Sequence, residues 1–294
     1  SYEKPLVSDS ALVTQHSLPL AGLQPNTTYN FRLTSTDYFE NTTVTSNFTF
    51  QTKRNPGAIL SDEFAGCTLD TSVWSYINPA NDAPLKMTGA GAQISVPAGT
   101  GHDLWKQGLK APRLMQYVNN QNFDVEVKFD STIGKNTQTM GILVQQDTSN
   151  WMRFNFQSNG PGVSSIVIVS SVKNDPVAVF TTPITVGEAN YMRLNRAGDV
   201  WNLQYSIDGS NWIFVTTVTR TLTMSEIGPY VGNTGPNPAH VGVIDYFENL
   251  ATPLAGDDTL PQLNVSKVGG GTVTRVPDKS NYECNETVQL TAVP

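Results

Sequence analysis

Apolar and polar residues alternate along several short stretches of this chain, and a period of two is the pattern of a half-buried β-strand. The clearest alternating runs are residues 29–37, 123–130, 151–157 and 191–195. Residues 164–172 are rich in β-branched side chains, which also favour strands. Gly198 and Gly209 stand where hairpin turns need a positive φ angle. No stretch keeps a helical period, so the pattern predicts an all-β protein.

Two short linkers divide the chain into three segments. The first linker, residues 53–58, is polar and contains Pro and Gly, and the second covers residues 253–260. The sequence therefore predicts separate parts at residues 1–52, 59–252 and 261–294. The many short strands and turns of the central part are typical of a β-sandwich or jelly roll.

The central segment carries a series of motifs in a characteristic order. It opens with residues 62–64 followed by Trp74, continues through 141–154 and 205–212, and closes with 228–247. This series resembles a concanavalin A-like lectin/glucanase domain, of the subgroup found as accessory modules of β-xylosidases. The resemblance implies a jelly-roll fold and carbohydrate binding.

The two flanking segments resemble parts of other modules. Residues 23–29 precede an alternating strand, which is similar to the second half of a fibronectin type III (Ig-like) sandwich, with Tyr29 at its tyrosine corner. Residues 263–274 and 281–294 are similar to an internalin-type B repeat, with Cys284 where Gly is usual. Because each flank matches only part of its module, we expect the chain to be one stretch of a longer surface protein.

Composition and charge exclude some classes of binding partner. The chain has 38% hydrophobic and 15% charged residues and a net charge of −7, which argues against nucleic acid as a partner. No apolar run of about 18 residues exists, so no membrane span is predicted. Cys67 and Cys284 form no metal motif, and we expect two inert thiols rather than a disulfide.

The alternating run at residues 151–157 is the first candidate for a binding site. Its alternate apolar residues belong to the core, so the opposite set faces outward or into a concave groove. That set consists of Trp151, Arg153, Asn155 and Gln157. The adjoining strand is expected to add Gln145 and Asp147. A Trp ring stacks on sugar C–H groups and the polar groups bind hydroxyls. A polar sheet face covered by loops is the alternative.

A second candidate is the block formed by His102, Asp103, Trp105 and Arg113. These residues are expected either to line a polar ligand pocket, with weak catalysis near His102 as a further option, or to be structural. In the structural interpretation Asp103 pairs with Arg113, His102 bonds to the backbone and Trp105 lies in the core.

Carboxylates give two weaker predictions. The Glu-x-Asp-x-x-Glu pattern of the glucanases is absent, and the alternating Asp124, Glu126 and Asp130 are interpreted as a solvated strand face. Jelly rolls often hold calcium, for which Asp62, Glu63 and Asp245 would supply the oxygen ligands. Three exposed carboxylates are the alternative.

These observations predict a non-catalytic, lectin-like module of a larger secreted or cell-surface protein, with a polysaccharide or other glycan as its partner. One alternative is a structural segment of a surface layer, filament or adhesin, which would contact other copies or domains of the same protein. Another is part of a glycoside hydrolase or polysaccharide lyase. Fold alone does not decide among them.

Overall fold

A computed structural model describes residues 7–25, 27–52, 55–184, 191–255 and 262–293. The described residues form strands and turns without a helix, so the predicted all-β class is confirmed. The strands are, in chain order, β1 (Thr28–Phe31), β2 (Thr34–Thr36), β3 (Thr42–Val44), β4 (Phe48–Gln51), β5 (Ser75–Ile77), β6 (Leu85–Met87), β7 (Ala92–Val96), β8 (Leu104–Trp105), β9 (Gly108–Leu109), β10 (Arg113–Tyr117), β11 (Phe123–Phe129), β12 (Gln138–Gln145), β13 (Trp151–Ser158), β14 (Ser164–Val172), β15 (Asp175–Ile184), β16 (Tyr191–Ala197), β17 (Val200–Ser206), β18 (Ile213–Thr219), β19 (Glu226–Asn233), β20 (His240–Asn249), β21 (Thr272–Val276) and β22 (Gln289–Val293).

The chain forms two compact units, Ser1–Pro56 and Gly57–Pro294. Their border falls inside the predicted linker 53–58, and the segment after residue 261 is part of the second unit. Residues 53, 54 and 256–260 of the two predicted linkers lie outside the described residues.

The first unit contains two small antiparallel sheets, β1–β4 and β2–β3. The single strand predicted over 29–37 is in fact two, because β1 ends at Phe31 and β2 begins at Thr34. Tyr29 stacks on Phe50 across the first sheet, and its hydroxyl accepts a hydrogen bond of 2.8 Å from the Gln24 backbone N–H. This bond joins Tyr29 to a backbone group five residues upstream.

The second unit is a jelly-roll β-sandwich of two seven-stranded antiparallel sheets. Sheet one has the order β15-β14-β13-β12-β19-β10-β5, and sheet two has the order β18-β17-β16-β11-β20-β7-β6. Apolar residues from both sheets meet between them, since strand alternation places every second side chain on the inner face. The largest of these fully buried side chains include Trp74, Phe129, Phe154, Phe156, Trp201 and Phe247.

A second, smaller apolar cluster lies on the outer face of sheet one, the face directed away from sheet two. The short hairpin β8–β9 supplies Leu104 to this cluster, with Trp105 and Leu109 packed against it. The sheet contributes the remaining members, which include Met115, Leu143, Trp151, Val167, Val169 and Tyr230. The hairpin therefore shields part of this outer face from solvent.

Two glycines allow the central strands of sheet one to approach their neighbours closely. A Cβ atom on Gly228 of β19 would lie 1.9 Å from the Leu114 carbonyl oxygen, and one on Gly141 of β12 would lie 2.1 Å from the Phe154 carbonyl oxygen. Both distances are below any real contact of a Cβ atom. Glycine is therefore required at both positions for the strands to keep this separation.

A disulfide joins Cys67 to Cys284, with a Cα–Cα distance of 5.3 Å, so the expectation of two inert thiols was wrong. The backbone N–H of Cys284 donates a 2.8 Å hydrogen bond to the Thr88 carbonyl oxygen, and Lys86 forms an ion pair with Glu283. Tyr282, beside the disulfide, is buried. These contacts hold the segment that carries β21 and β22 to the sandwich.

Throughout the described ranges, no helix has the length and apolar character needed to cross a bilayer.

Candidate functional site

The outer face of sheet one carries most of the predicted binding residues. Strand β13 lies between β12 and β14, so Arg153 is opposite Leu143 and Val169, while Asn155 is opposite Gly141. Gln145 of β12 is opposite Trp151, and Gln157 of β13 is half-buried. Alternation along β13 therefore places the predicted set on one face, as expected.

Trp151 does not present an open ring to a ligand. Its side chain is only 1% exposed and packs in the outer apolar cluster. Arg153 and Asn155, 4% and 0% exposed, are covered as well. The expectation that the Trp151 ring is open to stack on a sugar was wrong, because the hairpin β8–β9 and neighbouring side chains cover this part of the sheet. The observed arrangement corresponds to the alternative of a covered polar face.

Arg153 brings the two predicted candidate sets together. Its Nη1 atom donates to the Asp103 carboxylate over 3.2 Å and to the Tyr230 hydroxyl over 3.5 Å. Its guanidinium carbon lies 5.8 Å from the centre of the half-buried Trp105 ring, close enough for a cation–π interaction. The expected Asp103–Arg113 pair was wrong, because Asp103 pairs with a residue 50 positions away on β13.

Arg113 instead holds the hairpin in place. Its Nη1 atom donates to the carbonyl oxygens of Leu109 and Ala111, over 3.0 and 2.9 Å. Burial lowers the pKa of Arg113 to about 10, so the side chain stays charged at neutral pH. Burial also raises the pKa of Tyr230 to about 12, so the Tyr230 hydroxyl remains protonated.

Several polar atoms on this face are buried without a hydrogen-bond partner among the described residues. They include Nε of Arg113, Oε1 of Gln145, Nε of Arg153 and Oδ1 of Asn155. A buried polar atom that lacks a partner costs about 1–3 kcal/mol, so folded proteins rarely keep several of them on one surface. The concentration of such atoms on one sheet face marks this region as the candidate functional site.

The predicted residue Asp147 lies outside this arrangement. Its carboxylate accepts hydrogen bonds from the backbone and side chain of Asn150 and from the Ser149 N–H, which closes the turn between β12 and β13. The side-chain bond from Asn150 is the main cause that lowers the pKa of Asp147. Asp147 therefore shapes a turn.

His102 is fully buried. Its Nδ1 lies 3.0 Å from the Thr100 carbonyl oxygen, as the structural interpretation expected, and its Nε2 lies 2.7 Å from Oδ1 of Asp82. Its backbone N–H donates to Oδ1 of Asn233 over 2.8 Å. Both ring nitrogens are therefore engaged in bonds that tie the base of the hairpin to the sandwich.

Two of the alternating carboxylates form ion pairs on the outer face of sheet two. Glu126 of β11 pairs with Arg193, and Asp130, just after β11, pairs with Lys128. Glu126 is 4% exposed, accepts bonds of 2.6 and 3.1 Å from Arg193, and accepts one of 2.5 Å from the Tyr246 hydroxyl. Burial and this bond to Glu126 raise the pKa of Tyr246. The interpretation of a solvated face was wrong for Glu126, because Arg193 and Tyr246 cover its carboxylate.

The predicted calcium ligands do not form a metal site. Asp62 accepts bonds from the Phe64 N–H and the Trp74 indole N–H, so both of its carboxylate oxygens are used. Asp245 lies 2.6 Å from the Lys128 ammonium group, and the strand that carries it, β20, is inside sheet two rather than at its edge. The described residues, Glu63 among them, include no group of three or more His, Cys, Asp or Glu placed to hold a metal ion. This donor set does not fit calcium.

Tyr230 is the functional candidate that sequence reasoning missed. It lies in β19, a strand of sheet one, opposite both Gly141 and Arg113. Strand parity places it on the outer face, because Val231 beside it belongs to the inner core. The alternation along β19 therefore predicts that Tyr230 and Val231 lie on opposite faces. Which of the two faces is the outer one becomes clear only from the strands that adjoin β19.

Three solved structures illustrate the similarity of fold. The GH43 BlXynB protein from Bacillus licheniformis is 12% identical with a TM-score of 0.54, and the similarity covers 74% of this chain and 46% of that one. Xylan beta-1,4-xylosidase from Bacillus halodurans C-125 is 12% identical with a TM-score of 0.51, over 74% and 45%. The Bacteroides ovatus protein "Xyloglucan PUL GH43B" is 16% identical with a TM-score of 0.50, over 75% and 46%.

At these identities the similarity concerns the fold, and this chain spans less than half the length of each of these proteins. No curated protein shows significant sequence similarity to it. Residues 81–252, more than half of the chain, match the family described as "Protein of unknown function (DUF1349)". The chain therefore belongs to the DUF1349 family.

Proposed function

We propose that this chain is a non-catalytic, glycan-binding module of a larger secreted or cell-surface protein. Its binding surface is the outer face of sheet one beside the hairpin β8–β9. The observation that carries the proposal is that Arg153 contacts both Asp103 and Trp105. The same sheet face also holds buried polar atoms that lack a hydrogen-bond partner among the described residues. Sugars present hydroxyl groups and apolar C–H faces, and this surface offers groups for both.

The half-exposed members of the surface make the direct contacts. The Asp103 side chain is 22% exposed, and Trp105 and Gln157 are also partly accessible. Trp105 stacks on a sugar ring, while Asp103 and Gln157 bind hydroxyl groups. Arg153 lies behind them and fixes the position of the Asp103 carboxylate, since both groups share a charge-assisted hydrogen bond.

The fold neighbours and the disulfide support the wider setting of this proposal. Two neighbours carry names that refer to xylan and xyloglucan, which makes these polysaccharides the first to test. The Cys67–Cys284 disulfide is of the kind that persists in oxidising compartments, in keeping with a secreted or surface protein. We further propose that the flanks act as spacers, a fibronectin type III-like part that includes the Tyr29–Gln24 bond and a B-repeat-like part.

Affinity electrophoresis of the whole chain in gels that contain xylan or xyloglucan tests the proposal. We expect retardation by at least one polysaccharide, and a loss of affinity of about tenfold or more, equal to about 1.4 kcal/mol, in Trp105→Ala. Trp212→Ala is the matched control, because Trp212 is also half-buried but packs on Arg193 of sheet two.

Three outcomes would contradict the proposal. One is the absence of binding to every glycan on a broad array, together with ordered self-assembly of the chain, which would favour the structural alternative. Another is loss of binding in Trp212→Ala but not in Trp105→Ala, which would move the site to sheet two. Release of reducing ends from a polysaccharide that disappears in Asp103→Asn would reveal an enzyme.

A further inference from the structure

The charged groups around the candidate site differ in sign from the protein as a whole. The chain has a net charge of −7. On the outer face of sheet one, β19 carries one buried carboxylate, Glu226, opposite Gln145, whereas the hairpin, β10 and β13 carry four cationic side chains. These are Lys106, Lys110, Arg113 and Arg153. A local surplus of positive charge on an acidic protein favours an anionic ligand at that place.

The carboxylates close to the hairpin are already engaged. Asp103 accepts bonds from Arg153 and from the Leu104 N–H, and Asp82 lies 2.7 Å from His102 Nε2. The two lysines of the hairpin are exposed, and Lys110 Nζ donates a 3.2 Å hydrogen bond to the neutral side-chain oxygen of Gln107.

Arg153 has unused capacity to bind an anion. Its contacts with Asp103 and Tyr230 are both made through Nη1, while Nε is buried and has no acceptor among the described residues. A guanidinium group binds a carboxylate best through two parallel N–H bonds, and its Nε edge is one of the edges that can do so. A neutral sugar hydroxyl uses this edge less well than a carboxylate does.

We propose that the glycan bound by this site is acidic, with uronic acid residues whose carboxylates are attracted by Lys106 and Lys110 and reach past Trp105 and Asp103 to the Nε edge of Arg153 behind them. This inference rests on the proposed function and names the ligand class for the same surface. Neutral sugar residues of the glycan stack on Trp105. The carboxylate of a uronic acid residue makes the site selective for acidic over neutral glycans. Because the two lysines are exposed, their share of the attraction is screened by salt.

Titration calorimetry of the whole chain tests this inference with four probes: hexagalacturonic acid, glucuronoxylan, xylohexaose and neutral arabinoxylan. We expect the acidic probes to bind at least tenfold more tightly than the neutral ones at 20 mM NaCl, and this advantage to shrink at 500 mM NaCl. Arg153→Gln should weaken acidic binding at least tenfold and neutral binding by a clearly smaller factor, because the bond that positions Asp103 is lost for both classes of probe.

Two further variants keep the test decisive even where Arg153→Gln fails to fold. The double variant Lys106→Gln/Lys110→Gln changes only exposed side chains, and we expect it to weaken acidic binding threefold or more and to flatten the salt dependence. Arg193→Gln removes one positive charge from sheet two and should leave the selectivity unchanged.

The failures of the two proposals can be told apart. Equal, salt-independent binding of acidic and neutral probes would overturn the acidic ligand and leave glycan binding intact. Stronger binding of the neutral probes would do the same. No binding of any probe, with the chain folded, would overturn the proposed function itself.

Discussion

His240 is a buried imidazole with one bonded and one unbonded nitrogen. It is 2% exposed, and its Nδ1 lies 3.2 Å from the Gly232 carbonyl oxygen. Because a carbonyl only accepts, Nδ1 carries the proton of the neutral ring, while Nε2 has no partner among the described residues. Burial lowers the pKa of His240 to about 4.

This depressed pKa predicts a loss of stability in mild acid. In the unfolded chain a histidine has a pKa of about 6.5, so between pH 6.5 and 4 the unfolded state binds a proton that the folded state does not. The contribution of His240 is therefore complete above pH 6.5 and is lost as the pH falls, by up to about 3 kcal/mol. Urea denaturation at pH 7.0, 5.5 and 4.5 measures the effect.

His240→Gln should be destabilised at pH 7 but should lose less stability than the natural chain on acidification. His16→Gln is the control, because His16 is exposed and pairs with Asp9 at the surface. An equal fall in the free energy of unfolding of the natural chain and of His240→Gln would refute this assignment.

The sequence correctly predicted which face of a strand a side chain lies on, because that follows from alternation. It did not predict which residues distant in sequence contact each other. Parity placed Arg153 and Asn155 on one face correctly. It could not show that Asp103, 50 positions away, pairs with Arg153, because such contacts are set by which strands adjoin and how the hairpin folds back. Arg113, closer in sequence, was the natural but incorrect choice of partner.

At the scale of elements, the close approach of β10 and β19 depends on Gly228. A Cβ atom there would lie 1.9 Å from the Leu114 carbonyl oxygen, a backbone atom that cannot rotate away. Gly228→Ala should therefore separate the two strands and destabilise the second unit by about 1–3 kcal/mol, as overpacking does. Thermal unfolding followed by circular dichroism measures the change.

Gly134→Ala is the matched control for this substitution. A Cβ atom on Gly134 would have no heavy atom within 4 Å, so we expect a change in stability near zero. Similar melting temperatures for the natural chain and Gly228→Ala would mean that the strands accommodate the methyl group, against the packing described above.

The strands themselves were largely predictable from the sequence, but the elements that pack on the outer face of the sheet were not. Residues 164–172 form β14 with the predicted bounds, and the alternating runs at 123–130 and 151–157 correspond closely to β11 and β13. Alternation says that a strand has two faces, and it does not say what packs on each. The hairpin β8–β9 that buries Trp151 has only two residues in each strand, too few to leave a periodic signal.

At the scale of the whole molecule, the disulfide connects residues 217 positions apart. Closing so long a loop restricts the unfolded chain strongly, and removing it should cost about 2–5 kcal/mol. We expect reduction to lower the melting temperature of the second unit and to expose the segment 262–293 to proteases, because Tyr282 and Cys284 would leave their packed positions. Differential scanning calorimetry and limited proteolysis measure the two effects.

Cys67→Ser and Cys284→Ser should each reproduce the effect of reduction, and reductant should then have no additional effect. Unchanged stability and unchanged protease resistance after reduction would contradict the role given to this bond. The sequence could not reveal the pairing, because the approach of Cys284 to Cys67 depends on the docking of Tyr282 and on the bond between the Cys284 N–H and Thr88.

The position of this bond also determines how the protein responds to a mechanical load. Tension applied between residue 57 and residue 293 passes through the Cys67–Cys284 bond and bypasses the sandwich that lies between these cysteines. Stretching of single molecules should therefore lack an extension of roughly 700–800 Å, the contour length of 217 residues, and should regain it when the bond is reduced. A glycan held on sheet one would then remain bound to a folded domain while the chain on either side is pulled.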